Sequence, residues 1–450
     1  MVQSIERAAS MLSKDKMSSE DIELIIRDKL GELYNFSKII SYSESFDFSN
    51  IENVFLLENK SFFKLDIAAL LDKFQEIKLI KCKQFSLFSS KPIKIDIKNH
   101  AKFLVSLINC QNFEVTAINI ERGRNHFYVD NSKGFRFMHV NSSLARGYGL
   151  TIFNSKTCLV LSCGFFNNLA SGINIIGKSS YIQIDSSRIK YSRGSYNWDA
   201  GINIMHCTQS INNSMIPNDC HEDVNILSKI FLPQHIIISN CTIQGCAAQG
   251  IYLEGAAYVY IRNSLIADNR KEGICFDWGT SFCKLSDSTI MRNGKRNSYS
   301  DNDCRIDFLN PNHRDKELTH LCQIPGISLD NAYSNYICSN RIFGNYGGGI
   351  KLVRSCHKNI FQDNQLMENS NSFKLLNLKR ADLYISSEII IVSTGRGSEF
   401  TNTNSNLDFL DSELNFFSKN FLTNQQKMFY TVDENSVKSN IFYKNTLWPN

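Results

Sequence analysis

Gly250-Ile251-Tyr252-Leu253 is followed 23 residues later by Gly273-Ile274-Cys275-Phe276. The shared pattern is a glycine, an aliphatic residue, any residue, then an apolar one. It recurs at Gly149-Leu150-Thr151-Ile152, Gly172-Ile173-Asn174-Ile175, Gly201-Ile202-Asn203-Ile204, Gly326-Ile327-Ser328-Leu329 and Gly349-Ile350-Lys351-Leu352. Three of the six intervals are 23 residues, and the others (29, 49 and 53) read as 23 with insertions of 6, 26 and 30. A fixed period of this size is the signature of a solenoid. Stepping back 23 from Gly149 reaches His126, which precedes the same apolar alternation without the glycine.

Each repeat carries two further short alternating runs, such as Tyr258-Val259-Tyr260-Ile261 and Ser264-Leu265-Ile266, and ends near an asparagine (Asn168, Asn269, Asn293, Asn345). Three strands of three to five residues fit one repeat. Asparagine at its end suits a corner, where a left-handed residue is needed. A βαβ crossover needs roughly 30 residues and does not fit. The arrangement that closes is one coil per repeat, with equivalent strands stacked about 4.8 Å apart.

This pattern resembles the pectin-lyase-like superfamily over roughly residues 100–370. The resemblance implies an all-β, right-handed parallel β-helix and a carbohydrate-active role, with lyases, hydrolases, epimerases and non-enzymes all among its members. The Asp-Pro-His-Asp motif of alginate C5-epimerases is absent, as are the Asn-Thr-Asp, Asp-Asp and Gly-His-Gly blocks of polygalacturonases. No catalytic residue transfers by motif.

The flanks depart from the repeat. Residues 1–99 are expected to form a helical and irregular cap. A helix starts near Ser18-Ser19-Glu20-Asp21 and presents Ile22, Ile25, Ile26, Leu30 and Leu33 on one face. A second short helix falls at 65–74, and apolar strands follow at 77–80 and 93–97. The first helix serves as a lid on the solenoid end or as an oligomerisation surface. Residues 371–450 read as the opposite cap and a tail.

Composition bounds the rest. The chain has 450 residues, 42% of them hydrophobic, which excludes a disordered protein. Forty-nine Lys and Arg against 44 Asp and Glu give a net charge of +5, too mild to suggest nucleic acid as a partner. Neither an export signal nor an 18-residue apolar run is found, so a cytoplasmic protein without a membrane span is expected. Fourteen cysteines without CxxC pairs are then expected to be reduced and to fill the core. Cys275 differs, because its position points outward.

Alternation turns the first and third residues after the glycine inward and the second and fourth outward. The fourth position reads Asp130, Phe153, Ile176, Met205, Glu254, Asp277, Asp330, Val353. Three successive carboxylates repel, at roughly 0.2–1 kcal/mol per adjacent pair, and crowding raises the proton affinity of at least one. Glu254, Asp277 and Asp330 are therefore the candidate catalytic acid, base or nucleophile. Carboxylates roughly 5 Å apart suit a retaining glycosidase, and those roughly 9–10 Å apart an inverting one. A solvated polar face and a Ca2+ site, fed by oxygen ligands in a row, are the competing readings.

Tyr252, Trp278, Trp198 and Asp199 surround this row in sequence and offer aromatic faces and hydrogen bonds to a saccharide. Lys351, Arg354 and His357 form a basic set suited to a uronate carboxylate, with Tyr252 or His357 as the base of a lyase or epimerase. The insertion before Gly326 adds Lys295, Arg296, Arg305, His313, Arg314, Lys316 and His320. The expected function is cleavage of a glycosidic bond in an oligo- or polysaccharide, with acidic ones among the candidates. Lyase or C5-epimerase chemistry is the alternative, and a non-catalytic glycan-binding scaffold the third reading.

Overall fold

A computed structural model of the chain describes residues 54–96, 101–192, 200–206, 232–294, 324–353 and 356–369, together with short stretches between 389 and 447. The strands fall into three parallel sheets of 13, 13 and 12 strands, visited in turn by the chain. This is the expected parallel β-helix. The first sheet holds the glycine-led strands, for example Ile251–Glu254 and Ile274–Asp277. The second holds the longer strands such as Ala257–Arg262, and the third the three-residue strands such as Leu265–Ala267.

The long intervals are loops, not extra coils. Ile202–Met205 pairs directly with Ile251–Glu254, and Ile274–Phe276 with Ile327–Leu329. Nothing can stand between strands that share hydrogen bonds.

The solenoid is longer than its glycine repeat. Val54–Glu58, Ser61–Asp66, Glu76–Ile80, Lys83–Phe88 and Ile93–Lys94 already belong to the three sheets, so most of the described part of 1–99 is coil and not cap. At the far end, strands from Ile389–Val392 to Thr446–Leu447 continue the same sheets beyond 370. The N-terminal coils lack the glycine but keep the apolar alternation, and alternation is what buries the strand. The expected helix within 1–38 lies outside the described residues. The second helix is present as the single turn Ile67–Leu71, with the Asp66 carboxylate accepting from the Ala68 amide at 3.0 Å.

Side chains of like kind stack along the interior. Phe63, Phe85, Phe113 and Phe135 form a column with ring centroids 4.9 Å apart. Toward the C-terminal end asparagines stack as well, at the corner after the third sheet. Asn269, Asn293, Asn345 and Asn369 form a ladder, each donating its Nδ2 to the Oδ1 of the next at 2.8–3.0 Å. This corrects the corner role expected for these asparagines. The left-handed backbone is adopted one residue earlier, at Asp268, Arg292 and Gly344, and the asparagines are fully buried hydrogen-bonding columns. Each Oδ1 also accepts the main-chain amide of the preceding rung, so the turn's buried donors are satisfied.

The repeat glycines mark the tightest corner. A Cβ on Gly273 would lie 2.8 Å from the Gly326 carbonyl, the Asn293 amide and Ile290 Cγ2 together. His126 occupies the equivalent position in an earlier coil. It is fully buried, with Nδ1 2.8 Å from Ser142 Oγ and Nε2 2.7 Å from the Arg122 carbonyl.

Candidate functional site

The outward row of the first sheet is covered, not solvated. Tyr128, Thr151, Asn174, Asn203, Tyr252, Cys275, Ser328 and Lys351 are all buried. Polar side chains there must therefore find partners or wait for a ligand.

Glu254 and Asp277 face each other in register on adjacent rungs, and each keeps less than a tenth of its surface open. Adjacent parallel strands are about 4.8 Å apart, so this register is compatible with the shorter, retaining separation of two carboxyl groups. Asp330 lies on the following rung, its carbonyl accepting the Trp278 amide at 3.1 Å, and it is half-buried.

Tyr252 connects the acids. Its hydroxyl donates to Asp277 Oδ2 at 2.8 Å, and it is 1% exposed. Burial, then the charges of Asp277 and Glu254, push its phenol well above the ordinary range. The Trp278 amide donates to the other Asp277 oxygen at 2.9 Å. Asp277 thus accepts two hydrogen bonds, the arrangement suited to an acceptor-only carboxylate. Glu254 differs: burial pushes it up to about 7, against a smaller opposing hydrogen bond from Tyr252. Glu254 therefore holds its proton more readily than an ordinary glutamate.

His206 completes the cluster and was not anticipated from sequence. Its Nδ1 lies 3.6 Å from Glu254 Oε1, and burial lowers its proton affinity so that it is held neutral. It fits because the facing residue is Gly255, at φ +59°, where a Cβ would stand 3.0 Å from His206 Nδ1. The position after the fourth outward residue is otherwise mostly Asn or Gly (Asn131, Asn154, Gly177, Gly255, Asn331), as a left-handed corner favours. His206 and Trp278 break that rule beside Glu254 and Asp277, and the break was readable. Three buried atoms on this face, Thr151 Oγ1, Asn203 Oδ1 and His206 Nδ1, have no hydrogen-bond partner among the described residues.

The other anticipated residues are dispersed. Trp278 sits half-buried at the corner beside Asp277, at φ 41°. Lys351 is on the outward row beside Ser328, three rungs from Tyr252. His357 lies on the second sheet, bridged to Tyr333 and away from the acid row. Trp198, Asp199, Arg354 and the basic insertion before Gly326 lie outside the described residues. Among the described residues no group of three or more His, Cys, Asp or Glu is placed to hold a metal ion.

All ten described cysteines are buried. Cys275, on the outward row, has its thiol pushed well up by burial and then by Asp277, so it is not a reactive thiolate. No helix among the described residues is long and apolar enough to cross a membrane.

Comparison with known proteins adds the following. The family described as the right handed beta helix region matches residues 181–313, the handedness expected from the repeat. No curated protein matches the sequence significantly. Among solved structures, the chain is similar to the periplasmic alginate epimerase AlgG (TM-score 0.46, 11% identity, covering 89% of this chain and 80% of that one). It is similar also to the A-module of an Azotobacter vinelandii mannuronan C-5 epimerase (TM-score 0.40, 10% identity, 70% and 87%). A third is the Dettilon tailspike protein (TM-score 0.43, 12% identity, 91% and 75%).

Proposed function

We propose that the chain is a polysaccharide-active enzyme that cleaves a glycosidic bond at Glu254 and Asp277. The observation that carries this is the unequal pair: Glu254 is pushed up to about 7, while Asp277, one rung away, accepts hydrogen bonds from Tyr252 and Trp278. Glu254 gives its proton to the glycosidic oxygen as that bond breaks, and Asp277 attacks the anomeric carbon. Glu254, now a carboxylate, then takes a proton from the water that displaces Asp277. The unpartnered atoms of Thr151, Asn203 and His206 provide hydrogen bonds for sugar hydroxyls along the same face.

The neutral, buried His206 favours a second reading. A neutral imidazole beside a protonated carboxyl group suits removal of the C5 proton of a uronic acid, with Tyr252 donating to the departing oxygen or to the opposite face of the carbanion.

Incubation with a panel of neutral and acidic polysaccharides separates the readings. New reducing ends without ultraviolet absorbance identify hydrolysis, and an unsaturated uronate identifies a lyase. Solvent hydrogen at C5 with unchanged chain length identifies an epimerase. Glycosidic cleavage is overturned if Glu254→Gln or Asp277→Asn retains full turnover, and binding without turnover by the native chain leaves the scaffold reading.

A further inference from the structure

The net charge is small, but its distribution is not even. At the corner joining the first sheet to the second, Lys60, Lys81, Lys83, Lys133, Lys156 and Lys178 are all exposed. They come from five of the first six coils, and the corner segments of those coils contribute only two acids, Glu58 and Asp130. Register makes the alignment tight. Lys83, Gln111, Lys133 and Lys156 are successive partners in the second sheet, and Lys133 stands directly beside Lys156. Like charges on adjacent rungs destabilise a sheet, so stability alone does not account for the row. Farther along, the same row becomes Ser180, Gln234, Ala257, Ser281, Tyr333 and His357, without a lysine.

On the opposite rim of the first sheet, the corner leading into its strands presents exposed Lys102, Arg124 and Arg146 in three successive coils. The face between the two rims carries Ser106, Tyr128, Thr151 and Asn174. Cations therefore border a face whose middle row is uncharged from Ser106 to Asn174, with Asp130 as its acid, while Glu254, Asp277 and Asp330 gather in the later coils.

We propose that this double-rimmed N-terminal face binds a linear polyanionic polysaccharide, one carboxylate or sulfate per sugar, laid along the solenoid axis. The rungs repeat about every 4.8 Å along a straight line. Lysine predominates, and its flexible point charge suits a polymer met along a line better than a fixed bidentate contact. The stacked rings of Tyr181, His235, Tyr258 and Phe282 follow this corner only from the sixth coil onward, where the lysines end, so along the lysine coils no ring column is described that would hold unstacked bases, the device expected of a surface for single-stranded nucleic acid. The inference does not rest on cleavage at Glu254, because it concerns retention alone.

Affinity electrophoresis of the full chain tests it, in gels containing polygalacturonate, neutral dextran or single-stranded poly-dT, with and without added salt. Polygalacturonate is expected to retard the protein, dextran not, and salt to release it. Lys83→Gln/Lys133→Gln/Lys156→Gln should weaken retardation about tenfold, with a melting temperature no lower than that of the native chain. Lys284→Gln/Lys358→Gln, at the far end, should leave it intact, and Glu254→Gln should also bind normally. The proposal is overturned if the far-end variant loses as much as the triple, if dextran retards equally, or if poly-dT is retained as strongly as polygalacturonate. Loss of turnover in Glu254→Gln with retained binding separates this surface from the chemistry.

Discussion

Tyr128-Val129-Asp130 and Tyr252-Leu253-Glu254 are the same sentence written twice on one face of the solenoid, four rungs apart. In both, the tyrosine is buried and interacts with the carboxyl group two residues on, and in both burial raises that carboxyl. They differ in what stands across the rung. Asp130 is flanked by Ile108 and Phe153, whereas Glu254 is flanked by Met205 and Asp277. Tyr128 has one acid to serve, and Tyr252 reaches across to a second. The Tyr-x-acid pattern alone is a packed surface pair; register against another carboxylate distinguishes the proposed site. Removing the charge is the largest way to break the comparison. Glu254→Gln and Asp277→Asn should each cost about 10²–10⁴ in turnover, and Asp130→Asn should stay within about twofold of the native rate. Comparable losses at all three positions, measured by reducing-end release, would sink the distinction.

The same two coils respond to pH in opposite directions. In the N-terminal one, burial lowers His126 to about 4 from 6.5, so the unfolded chain binds more protons between these values. Stability from this group rises with pH across that window and is lost as pH falls through it. In the central coil Glu254 is raised to about 7 from 4.5, so the folded chain binds more protons, and stability falls as pH rises through the interval. Each shift corresponds to about 3 kcal/mol. Between pH 4.5 and 6.5 the contributions of these two groups have opposite slopes and nearly cancel. Glu254→Gln removes one slope: urea unfolding should find it stabilised by about 3 kcal/mol at pH 8 and unchanged at pH 4.5. An equal gain at both values would mean that Glu254 does not titrate in this way.

How much of this was legible follows from what sequence spacing encodes. Gly250 and Gly273 announced the coil because no Cβ fits at that corner, and alternation placed Glu254 and Asp277 outward and in register. The direct pairing of Ile202 with Ile251 also bears out the reading of the long intervals as loops. Alternation says which way a side chain points but not what lies over it, so the burial of Tyr252 and Lys351, and with it the raised Glu254, was invisible. The first coils were missed because they bend without the glycine, as His126 illustrates by filling its place and hydrogen-bonding there. His206 was missed because corners were read as punctuation. His357 was read as part of the acid face because it lies only six residues after Lys351, but the chain has turned into the second sheet by then.

The smallest expected effect tests that corner. Gly177 and Gly255 occupy the same position in the two regions, at φ +72° and +59°. Alanine at either must adopt a left-handed backbone, at about 1–2 kcal/mol. At Gly177 the added methyl meets Asn154 Oδ1, a corner side chain, whereas at Gly255 it meets the His206 ring, 3.0 Å from Nδ1. The stability losses should therefore be similar, but only Gly255→Ala should move His206 away from Glu254 and alter the pH at which turnover is half-maximal. Chemical denaturation and a pH–rate profile of both variants provide the readout. Identical profiles with equal destabilisation would reduce His206 to a packing residue and return the central coil to the ordinary pattern of its neighbour.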